Sequence, residues 1–150
     1  MDDNMNIRLM TIDDYEKVYS LWMSCKGVGL NNLEDSKEGI ERFLCRNPDT
    51  CFVAEIDNVI IGAILTGNDG KLGYIYHTTV NPKYWRQGIG KKLVETSIDV
   101  LKKIGISRVG LVVFNKNEIG NAFWEKMGFT MRNDLLYRNK ELAEIVKIHT

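Results

Sequence analysis

The stretch Val80-Asn81-Pro82-Lys83-Tyr84-Trp85-Arg86-Gln87-Gly88-Ile89-Gly90-Lys91-Lys92 carries the chain from the end of a strand into the start of a long helix. Pro82 stops the strand because it has no N–H to give a ladder. Gly88 and Gly90 lack side chains, so the backbone can turn tightly and several unpaired N–H groups at the helix start can point at one anion, helped by the positive end of the helix dipole. That geometry suits a pyrophosphate, although glycines at such a turn also have a purely conformational reading. Two familiar phosphate cradles do not fit. A P-loop needs Ser or Thr after Gly-Lys, and Gly90-Lys91 is followed by Lys92. A dinucleotide fingerprint needs a third small residue where Leu93 stands, and an acid near Arg108 to Val112, where there is none.

Downstream, Gly88 to Ile104 has helical spacing at Leu93, Val94, Ile98 and Leu101 and stops at Gly105. Val109 to Phe114 reads as a central strand buried on both faces. A helix then carries Ile119, Ala122, Phe123 and Met127 and ends at Gly128, and Phe129 to Tyr137 and Leu142 to Ile148 read as further strand. Upstream, Cys51 to Ile56, Val59 to Thr66 and Leu72 to Val80 are β-branched and aromatic. Asp57-Asn58 and Gly67-Asn68-Asp69-Gly70 separate them, which predicts an antiparallel meander. Before it, Tyr15, Val18, Tyr19 and Trp22 give one helical face, and Ile40, Phe43 and Leu44 a second, shorter helix ahead of Asn47-Pro48.

The length of 150 residues, without a linker, repeat or low-complexity tract, predicts a single domain over 1–150. Hydrophobic residues at 44% and charged residues at 27% exclude wholesale disorder. Twenty basic residues against twenty acidic ones remove the positive field expected of a general nucleic-acid binder. No apolar run approaches the roughly 20 residues of a membrane span. The acidic start Met1-Asp2-Asp3-Asn4 lacks the features of a secretory leader, so a cytoplasmic protein with no nucleic-acid or membrane partner is expected. Cys25, Cys45 and Cys51 form no CxxC and His77 and His149 lie far apart, so the cysteines read as reduced and no metal site is expected.

Over nearly its whole length the sequence resembles the GNAT superfamily of acetyl-CoA-dependent N-acetyltransferases. That family's signature is Gln or Arg, two residues, Gly, one residue, and Gly or Ala, after a strand ending in Val and a following Pro. Val80, Pro82, Gly88 and Gly90 match it. A second signature, Asn followed by an aromatic-bearing helix closing with Gly-Phe, is matched by Asn117, Phe123, Trp124, Lys126, Gly128 and Phe129. The resemblance implies the GNAT fold, an α/β (α+β) architecture. About seven strands form a mixed, mostly antiparallel central sheet with about four helices, and the fourth and fifth strands splay apart. It assigns the pyrophosphate of acetyl-CoA to the backbone of Arg86, Gln87, Gly88, Ile89, Gly90 and Lys91. The pantetheine arm falls on Thr78, Thr79 and Val80, pairing like an added strand. Asn117, Gly120, Phe123, Trp124 and Lys126 flank the rest of the cofactor.

The sequence departs from the family at two aromatic positions. Trp85 stands where Gln or Arg is usual, as a cover over the cofactor loop or an anchor against another subunit. Trp124 stands where many members have a tyrosine that protonates the departing thiolate, and indole cannot act as that acid. The leaving thiol has a pKa of about 8.5, so solvent can serve, with Tyr137 or Tyr84 as substitutes. The implied chemistry is direct attack of a neutral amine on the thioester in a ternary complex, with an oxyanion donor among the main-chain N–H groups near Thr79 or Val80. An alkyl amine has a pKa of about 10.4 and needs a base. His77, Tyr76 and Glu55 are the candidates, His77 being best tuned, with a buried core histidine as its other reading. Strand alternation separates His77 from Tyr76 unless a bulge intervenes.

The acceptor is expected over Lys26 to Ser36. Asn31, Asn32, Glu34 and Asp35 there would either attract a cation or merely solvate a loop. Small stand-alone bacterial members are the nearest likeness, including enzymes that acetylate ribosomal-protein N-termini. A non-catalytic acyl-CoA sensor and an interaction module on the same fold are the alternatives, and an exposed final strand would favour a homodimer.

Overall fold

The computed structural model describes residues 4–148; the acidic start at 1–3 and His149 lie outside the described residues. In chain order the elements are β1 (Met5–Leu9), a 3-10 turn (Ile12–Asp14), α1 (Tyr15–Met23), β2 (Leu30–Asn31), α2 (Lys37–Arg46), β3 (Phe52–Ile56) and β4 (Val59–Asn68). There follow β5 (Gly73–Val80), a 3-10 turn (Pro82–Tyr84), α3 (Ile89–Lys103), β6 (Val109–Gly110), α4 (Glu118–Lys126) and β7 (Lys147–Ile148).

The meander forms as its turns dictate. Asp57 and Asn58 take φ of 50° and 66°, the double left-handed bend that matches the twist of two antiparallel strands, and Ile56 pairs with Val59 across it. The main sheet runs β1-β3-β4-β5-β6, antiparallel except for the parallel β5–β6 pair, and β2 and β7 form a separate two-stranded ribbon. Helices cover both faces. On one, Val18, Leu21 and Trp22 of α1 and Ile40 and Leu44 of α2 pack on Val53, Ala63 and Leu65. On the other, Ile89, Leu93 and Val94 of α3 pack on Phe52, Ala54, Ile64 and Ile75.

Three expectations are corrected. The strand buried on both faces is β4, whose residues 61–67 are all buried, because it has sheet neighbours on each side and a helical layer above and below. The run Val109 to Phe114 is instead a two-residue edge strand, with Val112 58% and Phe114 61% exposed. It pairs only at Gly73↔Val109 and Tyr74↔Gly110. Beyond Tyr74 the two strands diverge as the resemblance implies, and the unpaired chain leaves strand geometry. Phe129 to Tyr137 forms no strand, and of Leu142 to Ile148 only Lys147–Ile148 does. Met131, Leu135, Leu136 and Leu142 do not alternate with the intervening charges, so no single apolar face forms to hold a sheet.

The β4–β5 register holds the feature that decides the site. Between Ile64↔Thr78 and Thr66↔Ile75, two steps along β4 oppose three along β5, so β5 carries an extra residue at Tyr76-His77.

Candidate functional site

At the turn from β5 to α3, Asn81 accepts the Lys83 amide at 3.0 Å while Arg86 and Gly88 take left-handed φ of 65° and 80°. Gly88 is needed for that φ, since nothing lies within 4 Å of where its Cβ would be. Gly90 is needed for room: a Cβ there would stand 3.3 Å from two ring atoms of Phe123. The first intrahelical bond of α3 joins Lys92 N–H to Gly88 O at 3.0 Å, and no side chain caps the helix. The amides of Ile89, Gly90 and Lys91 therefore precede any helical partner and face an exposed turn. Arg86, Gln87 and Lys91 are exposed beside them. Sequence reading missed the role of Trp85. Its Nε1 donates to Val80 O at 2.7 Å, so the indole braces the turn against the strand end while remaining 46% exposed.

The adjoining strand edge is open. Val80 pairs with Gly62, and Asn81 N–H donates to Ile61 O at 2.8 Å, which places Val80's own N–H and C=O on the edge away from β4. On that edge β6 has already diverged. Among the described residues the hydroxyls of Thr78 and Thr79, on opposite faces of β5, are buried without a protein partner, a cost of about 1–3 kcal/mol each.

The bulge in β5 overrides strand alternation and brings Tyr76 and His77 to the same layer. The Tyr76 ring meets Phe43 of α2 at 5.4 Å, and the His77 ring meets Trp22 of α1 edge-on at 5.0 Å. His77 Nε2 lies 2.6 Å from Asp35 Oδ1, with only 13% and 5% of the two side chains exposed. Burial raises the pKa of the Tyr76 phenol above its ordinary value, so at neutral pH it holds its proton and cannot serve as a base. Glu55 is not brought to this group. It lies on β3, across β4 from β5, and bonds Arg8 at 3.2 Å; Arg8 also grips Asp14 through two bonds of 2.9 Å.

In the loop over Lys26 to Ser36, Lys26, Asn32 and Glu34 are exposed and Asp35 is buried. Asn31 Oδ1 accepts the amides of Leu33 and Glu34, Asn32 Oδ1 accepts that of Val146, and Asp35 is 4% exposed. Of the four residues expected to attract a cation or solvate the loop, Asp35 does neither, because its carboxylate is bonded to His77 and to the Asn31 amide. No local pattern marks Asp35 as the partner of a residue 42 positions away.

Residues 15–129 match the acetyltransferase (GNAT) family. The chain belongs to that family. An acetyltransferase of Sodalis glossinidius is 33% identical over 140 residues, covering 93% of this chain and 97% of that protein. Among solved structures, the PaiA N-acetyltransferase of Thermoplasma acidophilum in complex with coenzyme A superposes with a TM-score of 0.73 at 20% identity, covering 98% of each chain. The ribosomal-protein-alanine N-acetyltransferase of Escherichia coli superposes with a TM-score of 0.68 at 21% identity, over 86% of this chain and 79% of that one.

Within this GNAT chain the second signature is occupied largely by its own packing. Asn117 Oδ1 caps α4 by accepting the Gly120 amide at 2.8 Å, and a Cβ at Gly120 would strike the Asn117 amide at 2.6 Å. Phe123, Trp124 and Phe129 stack edge-to-face at 4.9 and 5.1 Å, while Lys126 is exposed. Tyr137 is 72% exposed. Cys25 and Cys51 are buried and Cys45 is exposed, and burial lifts the Cys51 thiol to about 12. Among the described residues no group of three or more His, Cys, Asp or Glu is arranged to hold a metal, and no helix is long and apolar enough to cross a membrane.

Proposed function

We propose that this chain transfers an acetyl group from acetyl-CoA to a primary amine, carried by a small molecule, a peptide N-terminus or a lysine, by direct attack in a ternary complex. The supporting observation is the juxtaposition of the uncapped α3 amides with a β5 edge that no neighbouring strand pairs beyond Tyr74, where the Val80 carbonyl is taken by Trp85 and the Val80 N–H points away from β4. Residues 86–91 hold the pyrophosphate. The edge at Thr78 to Val80 holds the arm, and α4 from Asn117 to Lys126 closes the far side, with the Phe123 ring over Gly90. Acetyl-CoA supplies an acyl group activated as a thioester.

The chain's own contribution is positional and protic. The Val80 N–H on the free edge is the donor for the developing oxyanion. The His77 imidazole takes the proton from the attacking amine, which approaches from the side of the 26–36 loop that carries Asp35. With Trp124 in place of the usual tyrosine, solvent protonates the thiolate. The whole of 1–150 acts as one cytoplasmic domain, without metal, nucleic acid or membrane. A homodimer covering Leu135, Leu136, Tyr137 and Leu142, all more than half exposed, is checked by light scattering.

CoA at 100 times its Kd should raise stability by about 2.7 kcal/mol and lift the melting temperature accordingly. Thiol release from acetyl-CoA in the presence of an amine panel should then identify the acceptor. Tight CoA binding with no turnover on any amine would instead favour the sensor reading, for which Trp85 and Trp124 are the support, and no thermal shift would favour the interaction module.

A further inference from the structure

Asp35 is fixed more completely than a loop residue needs to be. Oδ1 lies 2.6 Å from His77 Nε2, Oδ2 accepts the Asn31 amide at 2.8 Å, and its carbonyl accepts the Tyr15 hydroxyl at 2.7 Å. The next residue, Ser36, caps α2. His77 is held from its other side by the edge-on Trp22 ring, and the β5 bulge aims it into this layer. Asp35 is the titratable group bonded to the imidazole, Tyr15 bonds the Asp35 carbonyl and Tyr76 is its neighbour on β5; among the described residues no cationic side chain is bonded to the pair.

We infer, resting on the acetyl-transfer reading above, that Asp35 is a positioning residue: it holds the His77 imidazole with Nε2 protonated and leaves Nδ1 free to take the amine proton. A buried carboxylate on one ring nitrogen fixes the tautomer and stabilises the imidazolium formed as the other nitrogen accepts a proton. The step balances. The amine lone pair forms the N–C bond, the C–S bond breaks with its electron pair leaving on sulfur, and the amine proton passes to His77 Nδ1.

The test compares kcat and KM for the wild type, Asp35→Asn and His77→Gln, with CoA affinity measured alongside. Asp35→Asn keeps the side-chain size but removes the charge, so kcat should fall about tenfold or more while the amine KM and the CoA affinity change less than twofold. His77→Gln should lower kcat at least as far. An Asp35→Asn enzyme with wild-type kcat, or His77→Gln with undiminished kcat, overturns the inference. Imidazole nitrogen NMR on the wild type serves independently of any variant's folding: a neutral ring protonated at Nε2 supports it, and one protonated at Nδ1 overturns it. A wild type that neither binds CoA nor releases thiol defeats the acetyl-transfer reading itself, whatever the tautomer.

Discussion

The starts of α3 and α4 solve the same deficit in opposite ways. Both helices open with amides that have no intrahelical partner. At α4 the deficit is closed from within, since Asn117 swings its carboxamide over the first turn and Gly120 makes room for it. Ser36 does the same for α2. At α3 the cap position is Gly88, which has no side chain to offer, and the neighbouring Trp85 spends its indole N–H on Val80 O. A self-capped terminus is a structural joint. One left uncapped beside an open strand edge is the surface proposed above for CoA, and its orphan amides are what a bound anion would satisfy.

Substitutions can break this contrast, and the largest effect should come at Gly90. Gly90→Val forces a branched side chain against the Phe123 ring and over the amide cradle; CoA affinity should fall about 100-fold by calorimetry, equivalent to about 2.7 kcal/mol. Wild-type affinity in that variant would break the assignment of the α3 turn. Asn117→Ala should act on the other account. Losing the cap costs about 1 kcal/mol of stability, read as a midpoint shift in urea, with CoA affinity changed less than threefold. A loss of CoA binding as large as at Gly90 would make Asn117 a ligand. Trp85→Phe removes the 2.7 Å bond to Val80 while keeping an aromatic ring; CoA should bind roughly fivefold more weakly, as one net hydrogen bond allows.

The smallest effect separates both helix starts from the rest of the molecule. The Arg8 hydrogen bonds hold the Asp14 pKa below its ordinary 3.8. A carboxyl lowered on folding adds stability that is present above the unfolded value and is lost as pH falls through the folded one. Stability should thus decline below about pH 4, and Arg8→Gln should flatten that decline in a pH series of thermal melts while leaving CoA affinity at neutral pH unchanged.

Local chemistry made much of this legible in advance. The meander follows from Asp57-Asn58 and the loop around Asp69-Gly70, α3 from Pro82, Gly88 and Gly105, and α4 from Asn117 and Gly128, each a residue whose own φ or hydrogen bonding punctuates the chain. The region after Gly110 misled for a related reason. Val112 and Phe114 look like a buried strand, but apolar character does not supply a neighbour to pair with, and the divergence from β5 leaves them exposed.

Whatever depends on a single residue's conformational preference, or on a short period of apolar side chains, was written in the order of the amino acids: the strands of the meander, the helix starts and stops, and the glycines of the α3 turn. The bulge at Tyr76-His77, the Trp85 brace on Val80 and the His77–Asp35 pair needed the folded chain. Each depends on how far one strand slips against another or on which loop closes over it, and those are set by the packing of the whole sheet between its helices. A residue cannot carry in its own neighbourhood the identity of a partner 42 positions away.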